Sequence, residues 1–235
     1  MKKITDKNGQ FNNAEFDNSS EFGDYSEFGN SSKFGAYSEF GDYSKFGDYS
    51  KFGAKSEFGN SSKFGAGSEF GAESKFGAYS KFGAESEFGA ESKFGEESKF
   101  GDNSKFGERS EFGRSSKFGS GSKFGAYAKF GAYAKFGEES EFDEESEFDE
   151  ESEFGAGSEF GAGCSYRGFV FEKFMLSANI DGSGRQIKIF SAGKIVMVEA
   201  GCFWGTAEEF CNRAKNEGKN TYFNVVGAIA KAIVK

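Results

Sequence analysis

The chain of 235 residues contains no proline and no histidine, and only three cysteines. Without histidine, the commonest general base near neutral pH and the commonest nitrogen ligand for a transition metal are both missing. Three scattered thiols give neither a zinc spacing nor an even disulfide framework. No apolar run approaches the ~20 residues that a membrane-spanning helix needs. The first stretch, MKKITDKNGQFNNAEF, lacks the apolar centre of a secretory signal, so a cytoplasmic protein with no membrane partner is expected. Leucine, isoleucine and valine are nearly absent before Gly168, where Ile4 stands alone. By hydrophobicity alone that region reads as disordered.

What is present overrides that reading. The chain carries 33 phenylalanines and 35 glycines. A Phe stands at every sixth position from Phe16 to Phe160, 25 in succession, and Tyr166 is next in phase. A disordered linker has no reason to keep such a period. Two residues before each Phe stands a small residue, mostly Ser (Ser26, Ser32, Ser38), with Ala128, Ala134 and Cys164 as variants; between them is Glu or Lys. That triplet is a short strand of period two, with the small residue and Phe inward and the charge outward. The Gly that follows suits a corner where φ turns positive or where backbones crowd. Two variable residues complete the hexad.

The hexad Phe34-Gly35-Ala36-Tyr37-Ser38-Glu39 resembles the pattern of the hexapeptide-repeat, left-handed β-helix family, with Phe in the aliphatic place. The resemblance covers about residues 14–167. It implies three hexads to each triangular coil of 18 residues, and so about eight coils. The bulk of Phe leaves the handedness and the number of sides open. Acyltransferases dominate that family and use a His base, which this chain lacks, so the resemblance carries the fold and not the activity. The expected fold is mainly β: a β-solenoid with a small C-terminal α+β domain. Its expected parts are an N-terminal cap (1–13), the solenoid (14–167) and an α+β capping or interaction domain (168–235).

In the last part, strands are expected over 169–176, 186–190 and 194–199, with Asp181-Gly182-Ser183-Gly184 as a turn. Thr206-Ala207-Glu208-Glu209 is a capping box that opens a helix through about Asn216. Asn220 or Thr221 caps a second helix through Ile233. This three-stranded meander with two helices is expected to cover an open end of the solenoid, as repeat proteins need. Gly182-Ser183-Gly184-Arg185 and Gly201-Cys202-Phe203-Trp204-Gly205-Thr206-Ala207-Glu208-Glu209-Phe210 resemble the tails of phage-associated solenoid proteins. Gly201 to Gly205 also resembles the nucleophile motif of A-type peptide methionine sulfoxide reductases, whose Cys lies between a strand and a helix start, where the helix dipole favours a thiolate. No recognisable acid or tyrosine motif accompanies it, and the plainer account is local packing of Phe203 and Trp204. Cys164 takes a Ser place of the repeat as a buried small residue. Gly182 to Arg185 either cradles a phosphate, with Arg185 as its cation, or turns a hairpin.

Charge is spread unevenly. Residues 168–235 hold nine basic and six acidic side chains, and the preceding residues hold 20 and 32. An acidic solenoid argues against binding nucleic-acid backbones. If residues 18 apart stack, one face reads Glu27, Lys45, Lys63, Lys81, Lys99, Lys117, Lys135, Glu153, while the other two mix signs. Like charges stacked directly are unfavourable, so this lysine row calls for a partner, unless it is drift within a duplicated repeat. Glu138 to Glu153 holds eleven acidic residues and no basic one. That block, with Glu138, Glu139, Glu144, Glu145, Glu150 and Glu151 foremost, is a dock for a basic partner or a solvated collar. The functional expectation is a non-enzymatic, phage-related interaction protein that binds a protein partner such as a host factor and uses no cofactor or metal. Two alternatives stand beside it: an architectural rod that self-associates as a homo-oligomer, and a Cys202-dependent oxidoreductase.

Overall fold

Each hexad of the repeat forms a two-residue strand of one charged residue and its Phe, as in Lys81–Phe82 and Glu87–Phe88. A strand that short has no stability of its own; it exists because a parallel neighbour lies on each side. Those neighbours are 18 residues away, with Phe88 in register with Phe70 and Phe106. Three hexads therefore close one coil, as the resemblance to the hexapeptide-repeat family implied. The computed structural model describes residues 12–178 and 186–233, in two compact units, Met1–Gly161 and Ala162–Lys235.

The first unit is a β-solenoid of about eight coils with three faces. The first face runs from Glu15–Phe16 to Glu159–Phe160, the second from Glu21–Phe22 to Glu147–Phe148. The third runs from Glu27–Phe28 to Lys135–Phe136 and adds a bridge to Glu153. The core is almost pure Phe. From coil to coil the rings stack, as Phe70 and Phe88 do at 4.8 Å and 3°. That separation is the spacing of β-strands, so the ladder imposes it. Within a coil, rings from different faces meet edge to face, as Phe82 and Phe88 do at 5.0 Å and 88°, an arrangement favoured by the ring quadrupole.

The small residue before each strand is fully buried wherever Ser26 through Ser122 occupy it. Its hydroxyl donates to the carbonyl of the Gly three residues earlier, 2.9 Å for Ser86 to Gly83, which closes the corner and leaves no polar atom unpaired. The Gly answers crowding and not a need for positive φ. A Cβ on Gly89 would stand 2.4 Å from the backbone N of Ala72 in the preceding coil. Positive φ falls instead on the second variable residue, at 59° for Glu85 and 58° for Tyr43. Its amide donates to the coil ahead, 2.8 Å from Glu85 to Asp102 O. Asn or Asp in the first variable place makes a further ladder. The Oδ1 atoms of Asp24, Asn30, Asp42 and Asp102 accept from the backbone N of Asp42, Asp48, Asn60 and Ser120, each 18 residues on.

In the second unit the strand Ser165–Tyr166 turns back on Phe169–Val170 through Arg167 and Gly168, both at positive φ, the pattern of a type I′ hairpin. A four-stranded antiparallel sheet follows: β1 (Lys173–Ala178), β2 (Gln186–Ala192), β3 (Ile195–Ala200) and β4 (Phe203–Thr206). The expected meander had three strands. The fourth was hidden because Phe203 to Thr206 reads as a motif and a helix cap, and it is short. Helices α1 (Ala207–Asn216) and α2 (Asn220–Ile233) complete the unit. The expected capping box is present, with Thr206 Oγ1 accepting from Glu209 N at 3.2 Å and Glu209 Oε2 accepting from Thr206 N at 2.8 Å. Ile187, Ile189, Val198 and Ala200 on one sheet face form a core with Phe210, Ala214, Tyr222 and Val226 of the helices. The turn expected at Asp181–Gly184 lies outside the described residues, as does the cap expected over 1–13 apart from Asn12 and Asn13.

Candidate functional site

The solenoid fixes each charged side chain on a face, one coil of 4.9 Å from its neighbours. On the first face, Lys33 pairs with Glu15 at 2.7 Å, Lys51 with Glu69 at 2.7 Å, Lys105 with Glu87 at 2.8 Å and Lys123 with Glu141 at 2.8 Å. On the second, Lys75 pairs with Glu57 at 2.8 Å, Lys93 with Glu111 at 3.2 Å and Lys129 with Glu147 at 3.4 Å. Every lysine of these two faces thus has a glutamate one coil away. The pairing with Glu57 pushes the Lys75 ammonium up, Glu87 does the same for Lys105, and Lys33 draws the Glu15 carboxyl down.

The third face departs from this rule. Its terminal lysines are answered, Lys45 by Glu27 at 2.7 Å and Lys135 by Glu153 at 2.8 Å. Lys63, Lys81, Lys99 and Lys117 between them form no ion pair among the described residues. They stack directly on one another, Lys81 in register with Lys63 and Lys99, and Lys99 with Lys117. Neighbours at that spacing repel by about 0.8 kcal/mol per pair in water. So the sequence-predicted row is real as geometry, and its inner four members carry the uncompensated charge. Acids do stand close by. Glu97 precedes Lys99 and Glu85 follows Lys81, at the corners on either side of the face.

The acidic block divides in two. Glu141, Glu147 and Glu153 lie on faces and are spent on Lys123, Lys129 and Lys135. Glu138, Glu139, Glu144, Glu145, Glu150 and Glu151 occupy corners, where Glu145 receives a long 3.5 Å bond from the Tyr127 hydroxyl. Asp143 and Asp149 take Gly places in this block. Their amides keep the ladder bond that Gly makes elsewhere, 2.9 Å from Asp143 N to Phe124 O and 3.1 Å from Asp149 N to Phe130 O. Arg185 lies outside the described residues, so it is not placed with any of these groups.

Cys202 does not stand at a helix start. It is exposed in the two-residue turn between β3 and β4, with Gly201 at φ 60° ahead of it, and α1 begins only at Ala207. The expected dipole support for a thiolate is thereby missing. Cys202 lines a cleft of about 70 Å³ with Phe203, Arg213, Glu217, Lys219 and Tyr222. Glu217 holds both Arg213 and Lys219, at 2.8 and 2.7 Å, and those bonds bring its carboxyl down to about 2. Cys164 is fully buried, as its place in the repeat implied.

One group of polar residues was not anticipated. Lys188 and Glu199 face each other across β2 and β3 and are buried, with Nζ 2.6 Å from Oε1. The Tyr166 hydroxyl donates to Glu199 Oε2 at 2.7 Å and accepts from Lys188 Nζ at 3.0 Å. The signal was present: the in-phase aromatic after 25 phenylalanines is the one that carries a hydroxyl. The alternation of Gln186 to Phe190 by itself gives no sign that Lys188 is buried. Among the described residues no helix is long and apolar enough to cross a membrane. No family model, no curated protein and no solved structure matches this chain.

Proposed function

We propose that this chain is a non-enzymatic interaction protein of the cytoplasm, phage-related, whose rigid lysine row docks the acidic surface of a protein partner such as a host factor. The observation that carries this is the contrast between faces. Seven lysines on two faces each meet a glutamate, while Lys63, Lys81, Lys99 and Lys117 are stacked without one. A repeat that places Glu or Lys freely had the means to neutralise that row, since Glu at positions 81 and 99 together would do so, leaving Lys63 and Lys117 each beside a glutamate. The corner acids from Glu138 to Glu151 offer a second surface of opposite sign. The phage-related part of the reading rests on the resemblance of Gly182 to Arg185 and of Gly201 to Phe210 alone.

The test is affinity capture from a bacterial lysate with the wild-type chain and with Lys81→Glu/Lys99→Glu. The wild type is expected to retain a partner that the variant loses, with equal melting temperatures, because exposed charges contribute at most ~1 kcal/mol each. Capture should weaken with salt, since the Debye length is only ~8 Å at physiological ionic strength. Recovery of nothing but more of this chain would replace the reading with the self-associating rod. Equal capture by both proteins would remove the lysine row from the function.

A further inference from the structure

The lysine row has a pitch, and the pitch restricts what can occupy it. Along Phe64, Phe82, Phe100 and Phe118, the residues next in sequence to the four lysines, successive rings are 4.9 Å apart. The row is straight because its strands are in parallel register. An extended acidic peptide laid along it offers same-side carboxylates at about 6.6 Å, twice the rise per residue, and is out of step by about 5 Å after three intervals. An α-helix offers them one turn apart, at about 5.4 Å, but rotates them away from a straight line. A column of carboxylates with one per strand of a β-sheet repeats at about 4.8 Å and stays in step.

The borders of the face narrow the choice further. Glu85, Glu97, Glu96 and Asp102 occupy corners on either side of Lys81 and Lys99. A broad acidic surface laid over the row would meet these acids. A single file of carboxylates would not. At the two ends the corners carry no acid, with Asn60, Ser61, Ala66 and Gly67 beside Lys63, and Arg114, Ser115, Ser120 and Gly121 beside Lys117.

We infer, resting on the reading above that the lysine row is a docking surface, that its partner presents an in-register column of Glu or Asp on the face of a β-sheet, one carboxylate per strand. Specificity then lies in matched spacing as well as in charge. A nucleic-acid strand and a disordered acidic tail carry the charge without the spacing.

Two probes test this. The first is a copy of this chain with Lys63, Lys81, Lys99 and Lys117 all changed to Glu and the corner acids Glu85, Glu96, Glu97 and Asp102 changed to their amides, a single acidic file on an identical lattice. The second, independent of how that variant folds, is a cross-β fibre of an alternating Val/Glu peptide, whose strands repeat at 4.7–4.8 Å. Labelled wild-type chain is titrated against each, with poly-L-glutamate and a thymidine oligonucleotide compared at equal charge concentration. Binding to the column probes is expected to be at least tenfold tighter than to either flexible polyanion, and Lys81→Glu/Lys99→Glu should abolish it. Equal or tighter binding of poly-L-glutamate or the oligonucleotide, or no binding to either column probe, overturns the inference. Neither result touches the docking role itself, which stands or falls with capture from lysate.

Discussion

The two units solve the problem of burying polar groups in opposite ways. In the solenoid the backbone and serine groups of a hexad, and the lysines of two faces, are answered by a neighbour either three residues or one coil away, and the same answer is repeated from coil to coil. Ser86 Oγ to Gly83 O and Lys105 Nζ to Glu87 are instances of a rule. In the C-terminal unit the polar content of the interior is concentrated in Lys188, Glu199 and Tyr166, brought together from distant places in the chain. A repeated rule spreads stability evenly, so that no single coil is special. A single buried network makes a few residues decisive.

That difference can be broken at measurable points. Trp204 is the only tryptophan, so its fluorescence follows the C-terminal unit, while strand circular dichroism follows the solenoid. The largest effect is expected from Phe88→Asp, which places a charge in the middle of the Phe stack and should cost more than ~4 kcal/mol in denaturant unfolding of the solenoid. A wild-type dichroism midpoint for this variant would contradict the packing described. Next comes Glu199→Leu, which strands the buried Lys188 ammonium and should cost ~3–5 kcal/mol by Trp204 fluorescence. Adding Lys188→Met should restore most of that loss; a double variant as weak as the single one would show that the pair is not the cause.

Smaller changes sharpen the account of the corners. Gly89→Ala sets a methyl against the backbone of the preceding coil and is expected to cost ~1–3 kcal/mol. Glu91→Gly relieves a left-handed residue at φ 59° and should gain ~0.5 kcal/mol, after the entropy cost of glycine is set against the relief. If both glycine changes had the same sign, crowding and dihedral strain would not be separable in this way. The mildest test is acid. Glu217 has its carboxyl lowered from 4.5 to about 2, so its support for the end of α1 is present above pH 4.5 and is lost as pH falls from there through 2. Ellipticity at 222 nm should fall over that window in the wild type and be less steep in Glu217→Gln.

How much was legible in the sequence follows the same division. The Phe period announced the hexad, and the family resemblance its coil of three; together they gave the faces and the column in which Lys63 to Lys117 line up, because a repeat makes spatial neighbours a matter of arithmetic. The roles of the corner residues were not legible. Whether Gly89 answers a dihedral or a close approach depends on the coil below, and the Asn and Asp ladder exists only once coils are stacked. The pairing that sets the lysine row apart also needed geometry, since Lys75 and Lys81 look alike in the chain. In the C-terminal unit the helix cap was plain, since Thr206 and Glu209 are local. Strand β4 was missed because it is short and reads as a motif and a helix cap, and the Tyr166 network because its partners are remote in sequence.

The chain keeps two counts at once. Its core repeats every six residues, but its surface repeats every 18. Insertion of one hexad ahead of Lys99 would leave each Phe beneath a Phe and each Ser beneath a Ser. It would also rotate every later charge onto the next face, carrying Lys99 and Lys117 out of the row and breaking pairs such as Lys105 with Glu87. Three hexads together would restore both. A lineage of such chains can therefore lengthen or shorten freely by sixes while only its rigidity is under selection. Once a surface column has acquired a use, length becomes quantised in whole coils, and the spacing of gains and losses among relatives would record which of the two selection has been reading.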